Sequence, residues 1–130
     1  MLSGKVVNGK NLGEKIDFPT ANLFIKENYK LIPKTGAYIV KSEIENSTVF
    51  GMMNIGFRPT VSGKNQTIEI HFFTFNGNLY GKKIRIEVLS FLREEQKFES
   101  VEALKQQLET DKKNSLDYIN GTFFDSKEIN

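Results

Sequence analysis

Thr20 and Asn22 flank Ala21 in the stretch Phe18-Pro19-Thr20-Ala21-Asn22, and their types and spacing are suited to chemistry. Pro19 fixes its own φ and drives Phe18 out of the helical region, which predicts extended backbone with little freedom. Alternate side chains of a strand share a face, so the Thr20 hydroxyl and the Asn22 amide stand side by side while Ala21 turns away. Two neutral oxygens on a stiff strand suit a Mg²⁺ ion that arrives carrying nucleotide phosphates. That ion takes only one or two protein oxygens and fills its shell with waters and phosphate oxygens. The ordinary alternative is a strand with Thr and Asn on its wet face.

A second stretch, Thr67 to Phe75, alternates Ile68, Ile70 and Phe72 with Glu69, His71 and Phe73. A one-residue slip would exchange the two faces, so the pattern pins the register and projects Glu69 opposite the aliphatic set, toward a cleft at a barrel mouth. His71 is the only histidine. A hydrogen-bonding structural role suits it better than that of a rival base, and one histidine without cysteine gives too few ligands for zinc.

The elements that must hold these residues are mostly short strands. Lys5 to Val7 begins the chain's strand content and leads into a polar segment, Asn8 to Asp17, in which Gly9 and Gly13 permit a flap. Ala37 to Ile44 and Thr48 to about Asn54 read as a hairpin around Glu45 to Ser47. Gly56, Pro59, Gly63, Lys64 and Asn65 predict a long connection. Thr67 to Phe75 and Lys83 to Leu92 are the clearest strands, joined through Asn76-Gly77-Asn78 and Tyr80-Gly81. The period then changes. Ser100 predicts a helix N-cap, Glu102 suits the first turn, and Val101, Leu104, Leu108, Ser115 and Ile119 share a face, with Asp111 near it. Gly121 predicts the stop, so the helix spans about 100–119 and a poorly ordered tail about 121–130. Five to seven strands followed by one helix predict an all-β barrel with a helical cover, in a single domain over 1–130.

The chain has 130 residues, enough for a core without metal or disulfide support, and no cysteine, which excludes a thiolate metal site or a cysteine nucleophile. No apolar run reaches signal-peptide or membrane-spanning length, so the expected location is cytoplasmic, with no membrane partner. The formal net charge of +2 is too slight to make nucleic acid the main partner.

Gly4-Lys5-Val6-Val7-Asn8-Gly9, Phe18-Pro19-Thr20-Ala21-Asn22, Asn54-Ile55-Gly56-Phe57-Arg58-Pro59-Thr60, Ile68-Glu69-Ile70-His71, Leu79-Tyr80-Gly81 and Arg93 to Phe98, in that order, resemble the riboflavin kinase family. The likeness includes the kinase module of bifunctional riboflavin kinase and FAD synthetase proteins, and runs from about Gly4 to Ile119. It implies a six-stranded antiparallel Greek-key barrel with a C-terminal helix. It also implies riboflavin and ATP as substrates, FMN as product and Mg²⁺ as the ion. Glu69 matches the catalytic carboxylate, and Thr20 and Asn22 match the ligands of magnesium and the nucleotide phosphates. Gly9, Phe72, Thr74 and Tyr80 match the nucleotide side, while Arg93, Gln96 and Phe98 fall in the segment that touches the flavin. An arginine fork and an aromatic face suit a planar hydrogen-bonding ring. The resemblance further allows an FMN adenylyltransferase domain in a longer chain.

Two residues depart from the family pattern, Gly-Arg-x-Leu-Gly before the Phe-Pro-Thr-Ala-Asn stretch. This chain reads Gly13-Glu14-Lys15-Ile16-Asp17, with Glu14 in place of a basic residue and Asp17 in place of a glycine. The change bears on nucleotide affinity and flap closure. It motivates a second reading, a flavin-binding or regulatory module with weak or no transfer. A nucleic-acid or protein adaptor is a third reading, which the small net charge disfavours.

Overall fold

The computed structural model describes residues 2–7, 18–25, 32–61, 63–75 and 77–124, apart from the side chains at 58–60 and at 64 and 65. These residues form β1 (Leu2–Val7), β2 (Ala21–Phe24), β3 (Gly36–Ile44), β4 (Ser47–Thr60), β5 (Gly63–Phe72), β6 (Lys83–Arg93) and α1 (Val101–Phe123). The chain divides into two compact units, Met1–Lys97 and Phe98–Asn130.

All six strands close into one antiparallel barrel in the order β1-β2-β5-β4-β3-β6. The consecutive strands β3, β4 and β5 are followed by β6, which returns to lie beside β3, the spatial order of a Greek key. Closure gives every strand two neighbours, although β2 pairs with β5 only at Ala21↔Ile70 and Asn22↔Glu69. Val6, Leu23, Val40, Met53, Ile55, Ile70 and Ile86 belong to the core. Strand β1 shows how the alternation works: Leu2, Gly4 and Val6 are buried while Ser3 and Lys5 are exposed. A Cβ on Gly4 would come within 2.6 Å of the Phe24 carbonyl oxygen, so only glycine lets β1 and β2 approach this closely.

Several boundaries differ from the sequence expectation, among them β5, which ends at Phe72 rather than Phe75, and two of the differences are instructive. The long connection expected over Gly56 to Asn65 is strand instead, because β4 and β5 stay paired through Thr60↔Gly63. Gly56 and Pro59 read as breakers in one dimension. Pro59 stands one position from the end of its strand, where a missing N–H is tolerated. The second difference is in α1, which continues through Gly121 to Phe123 rather than stopping before it. Glycine lowers helix propensity but does not end a helix on its own.

Helix α1 begins as expected. Ser100 has extended backbone, its hydroxyl accepts from the Ala103 N–H at 3.0 Å, and Glu102 sits in the first turn. Asp111, Ser115 and Ile119 are buried along it, whereas Val101 is exposed and does not belong to the buried stripe. The Ser115 hydroxyl donates to the Asp111 carbonyl at 2.7 Å and the Gln107 amide to the Asp111 carboxylate at 2.9 Å, so the buried polar groups have partners.

Candidate functional site

Strand β5 carries the site because its outer face is polar where its inner face is aliphatic. Ile68, Ile70 and Phe72 are buried in the core, and Glu69 is half-buried on the other side. The carboxylate therefore faces outward from the barrel wall, in the row that also holds Val7 at the end of β1. Its backbone is opposite Asn22 on β2 and Asn54 on β4. Directly opposed residues share a face, so Asn22, Glu69 and Asn54 form one cross-strand polar row.

Thr20 precedes β2 and reaches the same row. Its hydroxyl donates to Glu69 Oε1 at 3.3 Å across 49 positions of sequence. Thr20 and Asn22, paired by residue type and spacing, and Glu69, joined to them by the family resemblance, are therefore gathered at one place. Phe18 to Thr20 lies outside the ladder, which begins at Ala21↔Ile70, so the extended run is shorter in paired structure than the sequence suggests. His71, two residues beyond Glu69, is buried and its Nδ1 lies 2.8 Å from the Pro19 carbonyl oxygen. Its ring meets Phe18 edge-on at 5.2 Å and Phe73 at 5.8 Å.

The remaining expected residues lie on other parts of the described structure. Phe72 is buried in the core on the face opposite Glu69, and Thr74 is exposed just past β5. Tyr80 is exposed in the turn before β6. That turn is tied to β1 by Gly81 N–H to the Val6 carbonyl and Val6 N–H to the Lys82 carbonyl, one residue before Val7, which pairs with Asn22. Arg93 ends β6, half-buried, and donates to the Glu94 carbonyl at 3.1 Å; Gln96 is exposed. Phe98, half-buried, opens the second compact unit. Gly9, Glu14 and Asp17 lie outside the described residues.

The register extends the row: Asn54 faces Ala37 on β3, and Ala37 faces Arg93 on β6. Three inter-strand steps separate Glu69 from Arg93, roughly 14 Å along the wall at about 4.8 Å per step. Near Arg93, Lys34 Nζ sits 4.5 Å from the centre of the Phe91 ring and 3.2 Å from Glu94 Oε1.

Two residues of this wall were not singled out in the sequence. Asn54 is one. Glu95 is the other: a Cβ on Gly56 would stand 2.5 Å from Glu95 Oε1 and 3.6 Å from Asn54 Nδ2, so the carboxylate lies over the glycine beside the polar row. The sequence offers only Asn54 and Gly56, a polar and a missing side chain on alternate positions, with nothing to say that Glu69 or Glu95 lies beside them. A surface cavity of about 360 Å³ on β3 and β6, lined by Lys41, Glu43, Lys83, Arg85 and neighbours, contains none of the expected residues.

The donor set fits a substrate-borne hard cation. Thr20 and Asn22 offer neutral oxygens beside a carboxylate, and among the described residues no group of three or more His, Cys, Asp or Glu forms a closed metal cage.

Comparison with known proteins adds the family context. The family model described as Flavokinase: Riboflavin kinase matches residues 1–119. A bifunctional riboflavin kinase/FMN adenylyltransferase of Bacillus subtilis is 37% identical over 121 residues, covering 91% of this chain and 38% of that protein. The RNA-binding riboflavin kinase RibR of the same organism is 40% identical over 112 residues, covering 85% of this chain and 47% of that protein. The crystal structure of riboflavin kinase from Trypanosoma brucei superposes with a TM-score of 0.66 at 26% identity, covering 96% of this chain and 82% of that one. The chain thus spans less than half the length of these two curated relatives.

Proposed function

This chain belongs to the riboflavin kinase family, and from that membership we propose that it transfers the γ-phosphate of ATP to the terminal ribityl hydroxyl of riboflavin, giving FMN and ADP. The observation that carries the proposal is the meeting of Thr20, Asn22 and Glu69 on one outer face of the barrel. Phosphoryl transfer to an alcohol needs a carboxylate near the hydroxyl proton, neutralised phosphates, and alignment of the attacking and leaving oxygens.

Glu69 accepts or orients the hydroxyl proton as the alcohol oxygen bonds to the γ-phosphorus and the bond to the ADP oxygen breaks. Thr20 and Asn22 would hold Mg²⁺ together with the nucleotide phosphates, and the ion supplies charge neutralisation across the transferring group. A hydroxyl has one donor and two lone pairs, so Thr20 could offer an oxygen lone pair to the ion while its O–H still donates to Glu69. Gly9, Phe72, Thr74 and Tyr80 are assigned to the nucleotide side, and Arg93, Gln96 and Phe98 to the flavin.

We assign residues 1–130 to one kinase module acting in the cytoplasm on small molecules. An FMN adenylyltransferase domain elsewhere in a longer chain is part of the same proposal, in line with the bifunctional relative. The near balance of charge favours these substrates over nucleic acid. Among the described residues no helix is long and apolar enough to cross a membrane.

Incubation with riboflavin, ATP and Mg²⁺, followed by separation of flavins, tests the reading. FMN accumulating in step with ADP is expected. Riboflavin binding without FMN would instead support a flavin-binding or regulatory module.

A further inference from the structure

We infer that His71 is a positioning residue for the Thr20 and Asn22 pair, acting through the Pro19 carbonyl; the inference rests on the metal-nucleotide role proposed for that pair. A carbonyl oxygen only accepts, so the 2.8 Å contact requires that His71 Nδ1 carry the proton and donate it. Glu69 and His71 are two residues apart on β5, hence on one face and about 7 Å apart along the strand. The approaching chain meets both: the Pro19 carbonyl takes the His71 donor, and the next residue gives its hydroxyl to Glu69.

Two attachments fix an orientation where one would leave a pivot. They act where the sheet cannot, because the β2–β5 ladder starts only at Ala21↔Ile70 and Pro19 has no N–H to offer it. The imidazole is itself held. It is buried and packed edge-on against Phe18 from the same segment and Phe73 from its own strand, so its donor has a fixed aim. The His71 bond uses the Pro19 carbonyl, a group that would not ligate the metal, so it would hold the segment whether or not Thr20 kept its bond to Glu69. The histidine thus holds Thr20 and Asn22 in place during the step in which they serve as ligands.

Three variants separate this role from simple packing. His71→Phe keeps an aromatic ring and loses the donor, His71→Gln keeps a donor at a longer reach, and His71→Asn keeps a donor near the Nδ1 position. Titration calorimetry with ADP plus Mg²⁺, with ADP alone, and with riboflavin reads binding without turnover. His71→Phe and His71→Gln are expected to weaken Mg²⁺-ADP binding about tenfold, the equilibrium equivalent of one net hydrogen bond. ADP without metal and riboflavin should stay within about twofold. His71→Asn should recover most of the loss. Unchanged Mg²⁺-ADP affinity in both His71→Phe and His71→Gln, or an equal fall for every ligand in all three variants, would overturn the inference. If His71→Phe does not fold, His71→Gln against His71→Asn decides alone. A wild-type protein that binds Mg²⁺-ADP but makes no FMN would defeat the kinase reading and leave these affinities to judge His71.

Discussion

Glu69 stands between two amides, Asn22 on one neighbouring strand and Asn54 on the other, with the Thr20 hydroxyl 3.3 Å from its carboxylate. Its place in an alternating strand was legible in the sequence, because a period of two needs no tertiary information; Thr20 precedes β2, and its meeting with Glu69 was legible only through the family resemblance. Asn54 and Glu95 were not, since each matters only through a neighbour from another strand or segment. Tyr38 gives a residue-scale prediction. Its hydroxyl donates to the Lys34 carbonyl at 2.6 Å, and burial raises its pKa above the ordinary 10.0, with Lys34 lowering it and Glu94 raising it to lesser degrees. A raised folded-state pKa contributes stability that is fully present below pH 10 and is lost as pH climbs through the folded value. At neutral pH, Tyr38→Phe should lower stability by about 1 kcal/mol through loss of the hydrogen bond. In urea denaturation the gap from wild type should narrow above pH 10; a constant gap up to pH 11 would refute the coupling.

At the scale of elements, the strands and the helix start were readable because alternation and capping are local. Ser100 capped α1 as its type predicts. The failures were Gly56 to Asn65 and Gly121, where residues that usually break structure sit inside it. Pairing of β4 with β5 and the hydrogen bonding of the last helical turn outweigh local propensity there, and neither is visible along one strand of text. The β3–β4 hairpin is tighter than expected. Glu45 and Asn46 both have positive φ, 53° and 66°, between the paired Ile44 and Ser47. Such a two-residue turn favours Asn-Gly, and glutamate is poorly suited to left-handed backbone. The double change Glu45→Asn with Asn46→Gly should raise the free energy of unfolding by about 1 kcal/mol, seen as a higher urea midpoint with unchanged slope. A lower midpoint would show that the Glu45 side chain contributes more than its backbone strain removes.

For the whole molecule, what matters is that closure of the barrel lines up residues that the sequence keeps far apart. Asn22, Glu69, Asn54, Ala37 and Arg93 come from five strands and are paired one to the next around the wall, with a register shift in the β3–β6 ladder directly after Ala37. No local pattern encodes that row. Family resemblance supplied the six-stranded Greek-key barrel, while hydrophobic alternation alone left closure open. The same row makes the central claim testable, because one carboxylate on it is asked to handle the proton and its neighbours to hold the nucleotide. The direct measurement is FMN formation by Glu69→Gln, with Mg²⁺-ADP affinity measured on the same protein. Turnover should fall by roughly 10² to 10⁴, the usual contribution of a positioned general base, while nucleotide affinity stays within a few-fold. Near-normal turnover in that variant would contradict the account.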